Sequence, residues 1–233
     1  MTAIAAPTDL GAAIDKLAPQ IRGAVIRPDD PAYDAARAVY NAMIDRRPAL
    51  IVRAADAADV IATIRFAGDT GLDLSVRGGG HNVAGFGVND GGVVLDLSPI
   101  GNVRVDPQRR VARVGGGATW GAVDHATHAF GLATPSGVIS TTGVGGLTLG
   151  GGFGHLTRRY GLCIDNLLSA DVVTADGHLR TASAEENPDL FWSIRGGGGN
   201  FGVVTSFEFQ LPPVDTVYGG PIFYPAAASG DVL

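Results

Sequence analysis

Glycine placement constrains this chain more than any other feature. Of 233 residues, 35 are glycine, about twice the usual share. They show no collagen-like period and fall into runs. The first is Arg77-Gly78-Gly79-Gly80-His81-Asn82, followed by Gly85 and Gly87. The second spans Ser136 to Gly154 (SGVISTTGVGGLTLGGGFG), the third Gly196 to Gly202, and a short fourth Gly115 to Gly117. A single run is what a tight turn needs. Three long runs in one chain of this size point to a backbone that closely approaches a ligand. Residues without a Cβ let successive N–H groups turn inward and reach a phosphate. The first run is read as such a nest. In the second, Gly137, Gly143, Gly146, Gly150, Gly152 and Gly154 alternate with the hydroxyls of Ser140, Thr141 and Thr142, as a second wall along a diphosphate would require. The third puts Gly199 and Asn200 just before a strand that opens with Val203 and Val204. The fourth run is the least distinctive.

Composition narrows the class. Hydrophobic residues are 45% and charged residues 17%, which argues for a packed core and against disorder. The net charge is -6 and Lys16 is the lone lysine, so nothing here neutralises a nucleic-acid backbone. One cysteine, Cys163, excludes an internal disulfide and a cysteine-based zinc site. The opening MTAIAAPTDL lacks the basic and apolar regions of a secretory signal, and the weakly polar stretch 137–154 is too broken by glycine, serine and threonine to span a membrane. The default expectation is a cytoplasmic protein with no membrane and no nucleic-acid partner.

The periodicity predicts an α+β chain. Helices are expected over 10–17 and 35–44. Strand 50–52, a helix over 57–68 capped by Asp56, and strands 72–76 and 93–97 follow. A hairpin turns at Asp106-Pro107 within 103–114. A helix over 119–129 ends at Gly131. Beyond the second glycine run come strands 168–174 and 178–182 joined at Asp176-Gly177, a helix over 187–194 with Asn187 as cap and Pro188 at its first position, and strand 203–211 closed by Pro212-Pro213. A strand is expected near 222–224. The coarse division is a helical segment over 1–46, a two-lobed domain over 47–214 split near Gly101, and the start of something new over 215–233.

Several motifs are excluded by context. Gly197, Gly199 and Gly202 match G-x-G-x-x-G, but a predicted helix precedes them and a strand follows, the reverse of a Rossmann site. No G-x-x-x-x-G-K-[ST] or G-x-S-x-G occurs. His125 and His128 share a helix face, but no further metal ligands lie nearby and no metal is expected. His81, at the end of the first nest, is the candidate nucleophile or ligand beside a bound cofactor. His155 either lines the site or is incidental. Cys163 reads as a small buried hydrophobe.

The segments RGGGHNVAG (77–85), 137–154 and GGGNFGVV (197–204), in that order and spacing, resemble the FAD-binding (PCMH-type) domain of the vanillyl-alcohol oxidase superfamily, most closely its berberine bridge enzyme-like branch. The resemblance covers roughly residues 40–215. It implies a two-lobed α+β domain gripping FAD between its lobes. The first glycine loop would hold the diphosphate, through Arg77, Gly78, Gly79, Gly80, His81, Asn82 and Gly85, and His81 would bond covalently to the flavin 8α-methyl. Ser140, Thr141 and Thr142 would bond phosphate or ring, and Val203 and Val204 would lie by the adenine or the flavin edge. In bicovalent members a cysteine follows Gly-Val in the second run. Here Gly137-Val138 is followed by Ile139, so at most one covalent link, through His81, is implied. Family members are considerably longer. Their second half supplies the substrate domain and the base, and this chain resembles their FAD-binding half. The implied chemistry is oxidation of a small-molecule alcohol, amine or sugar carbon, with hydride passing to the flavin and molecular oxygen as acceptor. A flavin-binding fragment without turnover is the alternative. No residue present is assigned as the base, His155 being only a weak candidate.

Overall fold

The computed structural model describes residues 9–217 and 220–232. The chain runs through α1 (Leu10–Leu17), β1 (Ala24–Ile26), α2 (Tyr33–Arg37), β2 (Leu50–Arg53), α3 (Ala57–Thr70), β3 (Leu74–Arg77) and β4 (Val93–Asp96). It continues through β5 (Val103–Asp106), β6 (Val111–Gly115), α4 (Trp120–His128), α5 (Val144–Leu149), α6 (Thr157–Tyr160), β7 (Leu167–Val173), β8 (Leu179–Ser183), α7 (Pro188–Ile194), β9 (Val203–Gln210) and α8 (Ser229–Val232). Helices and strands mix as α+β.

Two sheets result. The first has the order β1-β2-β4-β3; β4 pairs in parallel with both β2 and β3, and β1 adds antiparallel at the edge. The second, β5-β6-β9-β7-β8, is antiparallel throughout. The parallel pairs need a crossover, which α3 supplies. That helix starts where the Asp56 carboxylate accepts from the N–H groups of Ala58 and Asp59, and it stops where Gly71 turns left-handed at φ 68°, the conformation glycine adopts at least cost. β4 is buried on both faces, as parallel strands are. Asp59, also buried, gathers the N–H groups of Arg22, Gly23 and Ala55 at 2.8–2.9 Å and so ties the approach to β1 to the start of α3.

The sheets share apolar packing. Val173 of β7 and Val203 of β9 lie in one cluster with Val60 and Ile64 of α3 and with Ala54, Leu95 and Leu97 from the first sheet and its strand ends. The largest cluster sits under the second sheet, around Trp120, Phe207 and Phe209.

Two expectations need correction, and two elements were not expected from the sequence. The helix expected over 35–44 stops at Arg37, because Tyr40 N–H donates to the Gly80 carbonyl at 3.1 Å and the chain turns toward the first glycine run. Strand β1 has no periodic signal in its three residues; it forms as an edge by pairing with β2. The second glycine run contains helix α5, which the density of glycine conceals. Residues 222–224 form no strand; Ile222, Phe223 and Tyr224 are exposed, with no sheet edge paired to them among the described residues. In addition, Asn187 precedes α7 but does not cap it: its φ is 48° and its amide donates to the Thr181 carbonyl at 2.7 Å.

Candidate cofactor site

β3 delivers the first glycine run to the top of the first sheet. Arg77, its last residue, is buried, and its Nη2 donates to Asp96 Oδ2 at 3.0 Å. Arg53 Nε approaches the same oxygen at 3.4 Å, while Asp96 Oδ1 accepts from Ser98 N–H at 2.9 Å. The guanidinium also reaches the Ala38 carbonyl. A buried charge is costly unless paired in this way, and the pairing fixes where the loop leaves the sheet.

Beyond Arg77 the backbone turns through Gly78, Gly79 and Gly80, the last at φ 71°. Gly79 and Gly143 pass so closely that a Cβ on either would overlap the other's backbone nitrogen. The first and second glycine runs therefore cross backbone to backbone, which only two glycines permit. Five successive N–H groups, from Gly78 to Asn82, find no acceptor among the described residues. A cleft of about 390 Å³ lies over Gly78 to His81 and is lined also by Tyr40, Asp96, Ser98 and Thr141. At its rim the His81 ring stacks on Tyr40, centroids 4.0 Å apart and planes 18° apart. Its Nε2 lies 3.0 Å from Thr141 Oγ1.

Thr141 owes its place to its neighbours. The carbonyls of Ser140 and Thr142 accept from Gly121 and Trp120 N–H at 2.8 and 3.0 Å. The stretch is thereby pinned to the start of α4. A row of unpartnered donors, a wall without Cβ atoms and a histidine at the rim suit an anionic, diphosphate-bearing cofactor. The family described as FAD binding domain matches residues 48–183.

The chain belongs to this FAD-binding domain family.

Its relatives lie in the vanillyl-alcohol oxidase superfamily, berberine bridge enzyme-like branch. The chain is 46% identical over 191 residues to (R)-6-hydroxynicotine oxidase of Paenarthrobacter nicotinovorans, covering 82% of this chain and 42% of that one. It superposes on the BBE-like 1 protein of Physcomitrella patens with a TM-score of 0.81 at 30% identity, over 85% of this chain and 44% of that one. It also superposes on glucooligosaccharide oxidase from Acremonium strictum, described with 6-S-cysteinyl, 8α-N1-histidyl FAD, with a TM-score of 0.80 at 34% identity, over 85% and 42%. The chain thus spans less than half the length of these relatives.

Within this FAD-binding domain the structure gathers some of the residues singled out from the sequence and separates others. Arg77, Gly78, Gly79, Gly80, His81 and Thr141 line one cleft. Asn82 is exposed, and its side chain closes the turn to Phe86 N–H at 3.0 Å. Gly85 makes room for Ile44. Ser140 is exposed and Thr142 half-buried. The remaining glycines of the second run mostly serve packing. Gly137 abuts Leu147, Gly152 abuts Leu147 and Cys163, and Gly154 abuts the Ser136 carbonyl. Gly146 is exposed within α5, and Gly150 ends it. The third run meets this lobe through Gly196 N–H, which donates to the Leu149 carbonyl at 3.1 Å. Gly199 and Asn200 stay exposed there, and the Asn200 amide folds back on the Gly197 carbonyl. His155 is exposed and outside the cleft lining. Val203 and Val204 are not brought to the cleft: both side chains are buried in hydrophobic clusters, because alternation along β9 serves the packing of the sheet.

Cys163 is buried under Gly152, 3.4 Å from Thr148 Oγ1. Burial pushes its thiol up to about 12, which makes it an inert hydrophobe. The fourth glycine run is the tightest of all: a Cβ on Gly115, Gly116 or Gly117 would overlap the carbonyl oxygens of Ile100, Val204 or Leu97. Sequence reasoning passed over Tyr40, Asp96 and Ser98. Asp96 carried a signal, as a carboxylate closing the fully apolar run Val93-Val94-Leu95. Tyr40 carried none. Among the described residues no helix is long and apolar enough to cross a membrane.

Proposed function

We propose that this chain holds FAD in the cleft over residues 77–82, linked covalently through His81, as the cofactor domain of an FAD-linked oxidase. The observation that carries this reading is the coincidence, in the lining of one cleft, of the acceptor-free N–H groups of Gly78 to His81 with the His81 ring. Bound FAD supplies an acceptor for a hydride from a small-molecule alcohol, amine or sugar carbon, and passes the electrons to molecular oxygen. The chain's own part is to bind and orient. The Gly78 to Asn82 N–H groups offset the diphosphate charge, which a chain of net charge -6 otherwise repels. The buried Arg77–Asp96 pair holds that loop in place. The names of the relatives support oxidase chemistry, and the histidyl link named for glucooligosaccharide oxidase supports the role of His81. A second, cysteinyl link has no residue to form it: Ile139 stands at the family's cysteine position, and the Cys163 thiol is buried and protonated.

The test is acid precipitation followed by a denaturing gel. Flavin fluorescence should travel with the protein band, and His81→Ala should abolish it while FAD still binds reversibly. Covalent flavin persisting in that variant would overturn the assignment of His81.

A further inference from the structure

We infer that Thr141 and Tyr40 are positioning residues for covalent attachment at His81, an inference that rests on the FAD reading above. The imidazole is held by two groups from separate segments. Tyr40 lies beyond α2 and is tied to the loop by its N–H bond to Gly80; its ring covers one face of the imidazole. Thr141 comes from the second glycine run and meets Nε2 at 3.0 Å. Neither side chain serves the core. Tyr40 is 69% exposed and Thr141 is exposed. Their contacts with His81 act on the histidine rather than on the stability of the fold.

The Thr141 contact bears on the tautomer, since the hydroxyl can accept from Nε2–H or donate to a bare Nε2. With Nε2 engaged by Thr141 Oγ1, Nδ1 is the ring nitrogen without a partner among the described residues. When the hydroxyl accepts from Nε2–H, the free lone pair rests on Nδ1, which is the form a nucleophile needs. A bond forms between Nδ1 and the flavin C8α, one C8α–H bond breaks and releases a proton, and two electrons enter the flavin ring system. The Nε2 proton, acidified as the ring gains positive charge, leaves past Thr141 to solvent. Molecular oxygen takes the electron pair with two protons and departs as hydrogen peroxide. The Tyr40 stack holds the imidazole plane and removes the rotamer freedom of a half-buried histidine before the reaction.

The experiment follows acid-stable flavin fluorescence over time after FAD is added to the full chain expressed without flavin. Thr141→Val should slow attachment about tenfold, the scale of one lost hydrogen bond acting on the reacting step, and should slow it more than it weakens reversible FAD binding. Thr141→Ser should restore the rate. Tyr40→Leu should slow attachment and Tyr40→Phe should not. Nitrogen-15 spectra of labelled histidine should show His81 as the Nε2–H tautomer in the parent and a mixture in Thr141→Val. Attachment at the parent rate in Thr141→Val overturns the inference, as does failure of serine to restore it. Loss of reversible FAD affinity in step with the rate also overturns it, because that marks a structural role. Covalent flavin in His81→Ala, or none in the parent chain, overturns the FAD link itself and this inference with it.

Discussion

Gly117 has no room for a methyl group, because a Cβ there would overlap the Leu97 carbonyl oxygen. Backbone on both sides cannot yield as a flexible side chain would. Gly117→Ala should therefore destabilise the fold by about 3 kcal/mol, the upper range for overpacking a close contact, read as a lower midpoint in denaturant with an unchanged slope. Cys163 makes a different statement at the same scale. Burial raises its thiol from the ordinary 9.0 to about 12. A group whose folded value is raised contributes stability in full below its unfolded value and loses it as the pH climbs through the folded one. Melting temperature should thus fall between pH 9 and about 12, and Cys163→Ala should flatten that part of the slope. An equal slope in both proteins would contradict this reading. Tyr33, whose buried hydroxyl donates to the Pro48 carbonyl and is likewise raised by burial, contributes with the same sign and leaves a residual slope in the variant.

Elements rest on local chemistry where a residue and its neighbours in sequence suffice. Helix α3 is the clear case. Asp56 accepts from Ala58 and Asp59 N–H at 3.0 and 3.2 Å, and Gly71 closes the other end left-handed. Asp56→Ala should cost about 1 kcal/mol, the usual worth of an N-cap, measured as a shift in denaturant midpoint; no shift would mean that packing alone holds the helix. Helix α2 is the opposite case. Apolar residues at helical spacing continue to Ile44, yet the helix ends at Arg37. The Tyr40–Gly80 hydrogen bond and the ion pair of Arg37 with Asp45 draw the following segment across the first glycine run. Helix α5 shows the converse. Two glycines within six residues lower its intrinsic propensity, and contacts with its surroundings override that cost: Val144 N–H donates to the Ala118 carbonyl and the Val144 side chain is buried in the main cluster.

At the scale of the molecule the two sheets are not independent. Val173 and Val203 complete a cluster built from the first sheet and α3, Arg65 on α3 donates to the Gly177 carbonyl of the second lobe at 3.2 Å, and Gly79 meets Gly143 backbone to backbone. Calorimetry should show a single transition with equal calorimetric and van't Hoff enthalpies; two separated transitions would show that the lobes unfold apart. By itself the sequence determined most of the elements and the places where the backbone lacks a Cβ. Strand alternation, the Asp56 cap and the glycine stops are local, and each acts through residues a few positions away. Only the tertiary structure decided which glycines serve close packing and which face the cleft, since a glycine against Leu97 and a glycine under a cleft read alike in a string. Likewise only folding sent Val203 and Val204 into the core and brought Tyr40, His81 and Thr141 together from three separate segments. Such contacts depend on crossings between distant segments, and no local pattern encodes them.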